Sequence, residues 1–353
     1  MHILSINLSQ KQYSIMIKKN LLTEIGEHLH STYSNKKIAV VTDTTVDALY
    51  GNLLIKSLSS QGFSVTKIVI PVGEKSKSMT MLEYLYGEFL DFKLSRSDLI
   101  IAFGGGVVGD LVGFAAATFL RGVPYIQIPT TLLAQIDSSV GGKVAVNLPN
   151  GKNLIGTFYH PEAVYIDPAL LSTLPMRVLR DGIAEVIKYS AISETELFND
   201  LSRYQNEQEF LANVESVITT CCQIKQTFVE KDEKDTGVRM TLNFGHTIGH
   251  GIENYFNYET YTHGEGVAIG MARITAASEA LGLTKPGTAA ALIELIEKYG
   301  LPITATDYNP KALLESITLD KKNTNNALHI ILLESIGKTL IHKIKIDEMH
   351  LYL

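Results

Sequence analysis

The sequence D-L-I-I-A-F-G-G-G-V-V-G-D, residues 98–110, joins an apolar run to a glycine-rich turn. An apolar run that is followed by glycines and a second apolar stretch is typical of a buried strand, a tight turn and a helix. Gly104, Gly106 and Gly109 match the G-x-G-x-x-G spacing, in which backbone N–H groups at a helix start face a pyrophosphate. Such turns are common in α/β proteins, so this one favours a nucleotide site without establishing it.

Runs rich in β-branched residues alternate with helix-length segments on both sides of this turn. Strands are predicted at 36–43, 65–71, 98–106, 125–131 and 163–167, and helices at 44–61, 79–93 and 107–121. The alternation predicts an N-terminal Rossmann-like α/β domain with a mostly parallel sheet, residues 1–170. Polar residues at the other strand ends (Asp43, Glu74 and Thr130-Thr131) are suited to a nucleotide.

The periodicity becomes helical after residue 170. Helices are predicted at 178–189, 195–204, 209–231, 242–255, 264–281, 288–299 and 310–319. Residues 329–344 are predicted to form a strand pair that turns at Ile336-Gly337. The sequence therefore predicts a mainly α-helical C-terminal domain, residues 171–353.

Composition narrows the class of protein. The chain has 353 residues, 45% of them hydrophobic and 19% charged, which excludes a disordered chain. The net charge is −6 and no long basic block occurs, so we expect no nucleic-acid partner. The apolar stretch 99–120 holds Asp110 near its centre, which favours a buried strand and helix over a membrane span. The adjacent Cys221 and Cys222 are interpreted as reduced thiols, and no signal peptide is indicated, so we expect a cytoplasmic protein.

Three of the ten histidines lie close together in N-F-G-H-T-I-G-H and T-H-G-E. His246 and His250 are four residues apart, so on a helix they share one face. Such a pair is more often two ordinary polar residues than a metal site, and no H-E-x-x-H is present. With His246 and His263, Glu185 on an otherwise apolar helix would complete a two-histidine, one-carboxylate zinc site. The alternative for Glu185 is a structural ion pair with Lys188.

Several basic residues lie inside glycine-rich or apolar segments. They are Arg121, Lys143, Lys152, Lys188, Lys225 and Arg239. Arginine and lysine in such surroundings predict a pocket for a small molecule with several negative charges, because both bind carboxylate and phosphate.

Taken in order, the motifs resemble the 3-dehydroquinate synthase family over nearly the whole chain. The resemblance is carried by P-V-G-E-K-S-K (71–77), G-G-G-V-V-G-D (104–110), F-L-R-G-V (119–123), P-T-T-L-L-A-Q-I-D-S-S-V-G-G-K (129–143), N-G-K-N-L-I-G-T-F (150–158), A-E-V-I-K-Y (184–189), L-N-F-G-H-T-I-G-H (242–250), H-G-E (263–265) and L-D-K-K (319–322). It implies a shikimate-pathway lyase of aromatic amino acid and chorismate biosynthesis, with NAD and a divalent metal, Zn²⁺ or Co²⁺. The implied reaction turns 3-deoxy-D-arabino-heptulosonate 7-phosphate into 3-dehydroquinate and phosphate by transient oxidation, elimination, reduction and an intramolecular aldol step. A homodimer is implied as well.

The resemblance also implies roles for individual residues. The implied metal ligands are Glu185, His246 and His263. The implied NAD contacts are Asp43, Glu74, Lys77, Gly105, Gly106, Val107, Val108, Gly109, Asp110, Thr130, Thr131, Asp137, Lys143, Lys152, Leu170, Leu171, Ser172 and Thr173. The implied substrate residues are Arg121, Asp137, Lys143, Lys152, Asn153, Lys188, Lys225, Arg239, Asn243 and His250, with one of Lys321 and Lys322 on the phosphate.

Three alternatives remain. Another sugar phosphate cyclase would share the metal ligands and the NAD turn but close a different sugar phosphate. A metal-dependent polyol dehydrogenase would need fewer basic residues and would accumulate NADH. A nucleotide-binding protein with a defunct site would be expected to have lost at least one ligand.

Overall fold

The structure, a computed structural model, describes residues 1–319 and 327–353. It contains two compact units, Met1–Leu174 with Lys225–Lys234, and Pro175–Ile224 with Asp235–Leu353. The predicted boundary between two domains, 1–170 and 171–353, stays a prediction.

The first unit is built on a seven-stranded sheet in the order β1-β2-β9-β6-β5-β3-β4. Its strands are β1 His2–Asn7, β2 Gln12–Ile17, β3 Lys37–Asp43, β4 Ser64–Ile70, β5 Leu99–Gly104, β6 Tyr125–Pro129 and β9 Ala163–Ile166. Only the β1–β2 pair of this sheet is antiparallel. The predicted α/β architecture with a mostly parallel sheet is therefore confirmed.

Helices cover both faces of this sheet, which explains why its central strands are apolar throughout. They are α1 Ile25–Tyr33, α2 Thr44–Val46, α3 Asn52–Ser59, α4 Met79–Asp91 and α5 Gly106–Thr118, with a π-helical turn at Asp47–Gly51. Successive side chains of a strand point to opposite faces. Accordingly Val40 packs in one core cluster with Leu54, and Val41 packs in the other with Leu111.

The apolar stretch 99–120 is divided between β5, a turn and α5, as the sequence predicts. In the parts of the chain that the structure describes, no helix combines the length and the apolarity that crossing a membrane requires.

An antiparallel hairpin of β7 (Lys143–Leu148) and β8 (Gly151–Phe158) was not predicted from the sequence. Five of the eight residues of β8 are exposed in succession, 153–157, so it shows no alternation of buried and exposed positions. Periodicity therefore cannot identify it.

The second unit is mainly helical, as predicted. Its helices are α6 Met176–Ser193, α7 Thr195–Arg203, α8 Glu207–Lys231, α9 His246–Tyr255, α10 His263–Ala280, α11 Thr288–Lys298 and α12 Pro310–Leu319. The end of α8, from Lys225 onward, belongs to the first unit. Strands β10 (Ala327–Ser335) and β11 (Lys338–Lys345) pair antiparallel. The helix predicted to begin at residue 242 begins at His246, because Gly245 has a left-handed φ of 79° and precedes the first turn.

Candidate active site

A carboxylate and two imidazoles converge in the second unit. Glu185 lies on α6, His246 is the first residue of α9, and His263 is the first residue of α10. Glu185 Oε1 lies 3.4 Å from His246 Nε2 and 3.6 Å from His263 Nε2. One potential ligand atom from each residue lies within 4.8 Å of the other two. Two histidines with one carboxylate form the protein ligand set of many catalytic zinc sites, which keep a position open for substrate.

Glycines allow α9 and α10 to cross closely enough to bring their first residues together. A Cβ added at Gly270 of α10 would lie 2.0 Å from the carbonyl oxygen of Gly245. One added at Gly249 of α9 would lie 2.9 Å from the carbonyl carbon of Gly266. Side chains at these positions would force the two helices apart, and with them His246 and His263.

A capping box fixes the start of α10 and therefore the place of His263. The Thr262 side chain accepts from the backbone N–H of Glu265, and the Glu265 carboxylate accepts from the backbone N–H of Thr262 at 2.9 Å. Arg177 of α6 donates to both oxygens of Glu265, at 2.8 and 2.7 Å. The helix that carries His263 is thus tied to the helix that carries Glu185.

The second ring nitrogen of each histidine has its own partner. His246 Nδ1 lies 3.1 Å from the carbonyl oxygen of Phe244, and His263 Nδ1 lies 3.2 Å from Glu253 Oε2. When Nδ1 carries the proton and donates it to these acceptors, Nε2 offers its lone pair on the side of Glu185. Metal-binding histidines are usually oriented in this way by a carbonyl or a carboxylate. The donor set therefore fits a divalent metal ion.

The electrostatic environment differs between the two imidazoles. Burial lowers the pKa of His246 to about 3 and outweighs the carboxylate of Glu185, which acts to raise it; nearby Lys188 acts in the same direction as burial. Burial also acts to lower the pKa of His263, but hydrogen bonds with Glu185 and Glu253 raise it well above its usual value. Neutral imidazole is the form that binds metal, so a metal ion here competes with a proton on His263.

Lys188 and His250 flank these three residues. Lys188, one turn along α6, pairs with Glu185 and is 1% exposed. The ion pair that the sequence allowed is thus present together with the convergence of the three donors. The ring centroid of His250 lies 5.4 Å from that of His246 and 5.8 Å from that of His263. Because His250 is exposed, its ring is accessible to a bound molecule.

Several residues predicted to bind a nucleotide follow the carboxyl ends of strands in the sheet of the first unit. Asp43 ends β3, Gly104 ends β5, and Thr130 follows β6, on three adjacent strands. Thr130 donates its backbone N–H to the carbonyl oxygen of Gly104 at 3.0 Å. The segment Leu170–Thr173 lies in the 3₁₀ turn after β9, on the other side of β6. This carboxyl edge is where ligands collect in open α/β sheets.

The glycine turn leaves little room for side chains. A Cβ at Gly105 would lie 3.2 Å from Thr131 Cγ2, and one at Gly106 would lie 3.1 Å from Ser138 Oγ. Gly106 is the first residue of α5, so its backbone and that of Val107 lie at the positive end of the helix dipole. The turn fits the phosphates of a dinucleotide, which need close approach to backbone N–H groups.

Two ion pairs join other predicted residues within the first unit. Lys77 pairs with Asp110 and also donates to Asn153 Oδ1. Burial raises the pKa of Asp110, although the Lys77 ammonium acts in the opposite direction. Lys225 pairs with Asp137 and also donates to its carbonyl oxygen. The C-terminal part of α8 thus belongs to the first unit.

Some predicted residues lie elsewhere. Arg121 is exposed at the far end of α5 from the glycine turn, roughly 20 Å away at 1.5 Å per helical residue. Its assignment to the substrate stays a prediction. Arg239 is buried in the 3₁₀ turn Val238–Asn243, which ends at the exposed Asn243. Lys321 and Lys322 lie outside the described residues.

Sequence reasoning missed Glu253, which is only 4% exposed and contacts His263. A signal was available, because Glu253 follows His246 by seven residues and His250 by three, so all three share one face of α9.

The sequence matches known families over most of its length. Residues 67–181 match the family model described as 3-dehydroquinate synthase N-terminal, and residues 182–323 match 3-dehydroquinate synthase C-terminal. The chain is 50% identical to the 3-dehydroquinate synthase of Clostridium acetobutylicum over 353 residues, which covers 100% of this chain and 99% of the relative. It is 45% identical to the Enterococcus faecalis protein of the same name over 350 residues, 99% and 98% of the two chains.

Solved structures share the fold. A 2-epi-5-epi-valiolone synthase from Streptomyces hygroscopicus, with NAD⁺ and Zn²⁺ bound, matches with a TM-score of 0.87 and 27% identity over 97% of this chain and 96% of that one. A 2-deoxy-scyllo-inosose synthase complexed with carbaglucose-6-phosphate, NAD⁺ and Co²⁺ matches with a TM-score of 0.88 and 24% identity over 99% of both chains. A glycerol dehydrogenase from Schizosaccharomyces pombe has a TM-score of 0.68 at 18% identity over 95% of this chain and 86% of that one, which shows a shared fold alone.

Proposed function

This chain belongs to the 3-dehydroquinate synthase family, and we propose that Glu185, His246 and His263 hold the divalent metal with which it works. Its function is the conversion of 3-deoxy-D-arabino-heptulosonate 7-phosphate into 3-dehydroquinate and phosphate. Because phosphate leaves by cleavage of a carbon–oxygen bond, we class the enzyme as a lyase. The convergence of these three side chains, each with an orienting partner, carries the proposal.

A bound Zn²⁺ or Co²⁺ ion would polarise the reacting oxygens of the substrate and so favour hydride transfer and enolate formation. The chain's own residues prepare for this. Phe244 and Glu253 hold the two imidazoles by their second nitrogens. Lys188, buried beside Glu185, supplies a positive charge that we assign to the substrate. His250 is the exposed imidazole that can exchange a proton with a bound molecule.

We assign the remaining basic residues to the carboxylate and phosphate of the substrate. Lys143 is the first residue of β7, and Lys152 is the second residue of β8. Lys225 is paired with Asp137, so its ammonium is already held in place. Arg239 is 3% exposed, and a buried guanidinium suits bidentate recognition of an anion.

We assign NAD to the carboxyl edge of the sheet in the first unit. The glycine turn would take the pyrophosphate, and Asp43, Glu74 and Lys77 would contact the rest of the nucleotide. The nicotinamide is reduced and then reoxidised in the family's reaction, so no net NADH is expected.

The decisive experiment uses the purified full-length protein with NAD, Zn²⁺ and the heptulosonate phosphate. We expect phosphate and 3-dehydroquinate to appear in equal amounts while the absorbance of NADH returns to its starting value. Absence of phosphate release would refute the assignment. Release of phosphate with a different cyclic product would indicate a sister cyclase, and accumulation of NADH from a simple polyol would indicate a dehydrogenase.

We also propose a homodimer in the cytoplasm. The assembly is proposed from family membership, and light scattering of the purified protein tests it, because the mass of a single chain would contradict it. Cys221 and Cys222 are adjacent and buried, as is typical of reduced core thiols in a reducing compartment. Cell fractionation tests the location.

A further inference from the structure

An irregularity in the β7–β8 hairpin places one residue opposite three. Val146 pairs with Ile155, and the next pair is Leu148 with Gly151. Between these pairs, Asn147 on β7 therefore faces residues 152–154 on β8. Bulges of this kind near active sites redirect side chains. Here the bulge contains Lys152 and Asn153, which we assign to the substrate.

The bulge removes the backbone N–H of Asn153 from the regular ladder, and Asn147 provides an acceptor for it. Asn153 has a left-handed φ of 59°, a conformation that asparagine tolerates better than most residues. Its N–H donates to Asn147 Oδ1 at 2.8 Å. The side chain of Asn147 thus holds the left-handed residue of the bulge in place.

The other end of the same amide reaches the loop after β4. Asn147 Nδ2 donates to Glu74 Oε1 at 2.7 Å, and the backbone N–H of Asn147 donates to the carbonyl oxygen of Lys77 at 2.8 Å. Lys77 closes a ring of contacts, since its ammonium donates to Asn153 Oδ1 and pairs with Asp110. A side-chain amide offers both a donor and an acceptor, which neither a carboxylate nor an apolar side chain does.

We propose that Asn147 is a positioning residue that holds Glu74 and Lys77, on the nucleotide side, in register with Asn153, on the substrate side. The proposal rests on the proposed function, which assigns Glu74 and Lys77 to NAD and Asn153 to the substrate. Asn147 acts through these residues.

Two substitutions distinguish the role of the amide donor of Asn147 from that of its acceptor. Asn147→Ala removes both the donor and the acceptor. Asn147→Asp keeps an acceptor for the N–H of Asn153 but places a second carboxylate against Glu74. Val146→Ala is the matched control, because Val146 is a fully buried neighbour on the same strand whose side chain points to the opposite face.

The test measures the NAD dissociation constant by calorimetry and the KM for the heptulosonate phosphate by phosphate release, on full-length protein with Zn²⁺. For Asn147→Ala we expect both to rise about tenfold, as loss of one hydrogen bond to a charged group would produce. For Asn147→Asp we expect the same loss of NAD affinity with a smaller rise in KM. Val146→Ala should lower the melting temperature and leave both constants within about twofold of the wild type.

Unchanged constants in Asn147→Ala would overturn the proposal, and so would equal changes in Val146→Ala. If Asn147→Ala does not fold, unchanged NAD affinity in Asn147→Asp would overturn it. Failure of the proposed function is distinct, because the wild-type protein itself would then bind no NAD or release no phosphate.

Discussion

The candidate metal centre and the glycine turn present their ligands to a bound group in opposite ways. At the candidate metal centre the donors would be the side chains of Glu185, His246 and His263, which come together from three helices. At the glycine turn the donors would be backbone N–H groups, which are accessible because glycine has no side chain. It follows that deleting a side chain should damage the metal centre, whereas adding one should damage the turn.

The largest effect should follow from deleting a ligand. His263→Ala removes one of three donors, and we expect loss of bound zinc and a fall in kcat of about 10³-fold or more, since a metal supplies several kcal/mol of transition-state stabilisation. Metal analysis of the purified variant and phosphate release measure the two effects. His250→Ala is the control, because it removes a neighbouring imidazole that we do not assign to the metal. Stoichiometric zinc in His263→Ala, or its loss in His250→Ala, would contradict the ligand assignment.

A smaller effect should follow from deleting an orienting partner. Glu253→Ala takes away the acceptor at His263 Nδ1, and we expect zinc affinity to fall by about 10–100-fold, as is usual for residues that orient a metal ligand. Glu253→Gln keeps an oxygen that can accept the same hydrogen bond, so its loss should be smaller. Competition with a chelator measures both. Equal affinities for wild type and Glu253→Ala would show that Glu253 does not orient His263.

At the glycine turn we expect that adding a side chain weakens NAD binding. Gly106→Ala places a methyl group 3.1 Å from Ser138 Oγ, and we expect NAD affinity to fall by about tenfold because the phosphates lose their approach to the helix start. The double variant Gly106→Ala with Ser138→Gly removes that neighbouring side chain. Calorimetric titration should then still show the weakened NAD affinity of Gly106→Ala. Full recovery of NAD affinity would mean that the methyl group acts on Ser138 and does not obstruct the ligand.

The same contrast explains what could be predicted from the sequence. The glycine turn is a local pattern, so its strand, turn and helix were predicted from residues 98–110 and are present in the structure. The strand ends that accompany it were predicted as well, because parallel strands carry their carboxyl ends to one edge.

The metal centre depends on contacts between residues distant in the sequence. The spacing of His246 and His250 indicated a site, but the closer contacts of Glu185 are with His246 and His263, on a helix that starts after a further loop. Residue types alone left that set beside an ion pair of Glu185 with Lys188, and the family resemblance implied the set. The sequence did not predict that Lys225 belongs to the first unit. A single helix, α8, contributes residues to both units, and helical periodicity does not indicate where such a division falls. Asn147 was missed because its role requires knowledge of the hairpin register.

A carboxylate outside both regions should show the smallest effect, confined to stability. Asp98 precedes β5 and accepts from the backbone N–H of Lys37 at 2.9 Å and from the backbone N–H of Ser95 at 2.7 Å. Its burial acts to raise its pKa, but the hydrogen bonds from Ser95 and Lys37 outweigh it and lower the pKa below its usual value of 3.8. Because the folded-state pKa is the lower one, this stabilisation is complete above the unfolded-state pKa and is lost as the pH falls through the folded-state pKa.

Asp98→Asn should therefore cost about 1–3 kcal/mol at neutral pH, the usual contribution of hydrogen bonds to a charged group, with NAD and zinc affinities unchanged. Denaturant unfolding of wild type and variant from neutral pH to below pH 3.8 measures the difference. We expect the two stabilities to converge as the pH falls, since protonation removes from the wild type what the substitution has already removed. A difference that stays constant with pH would show that the charge of Asp98 contributes nothing. A loss of NAD affinity in this variant would show that Asp98 acts on the glycine turn, although it lies at the opposite end of β5.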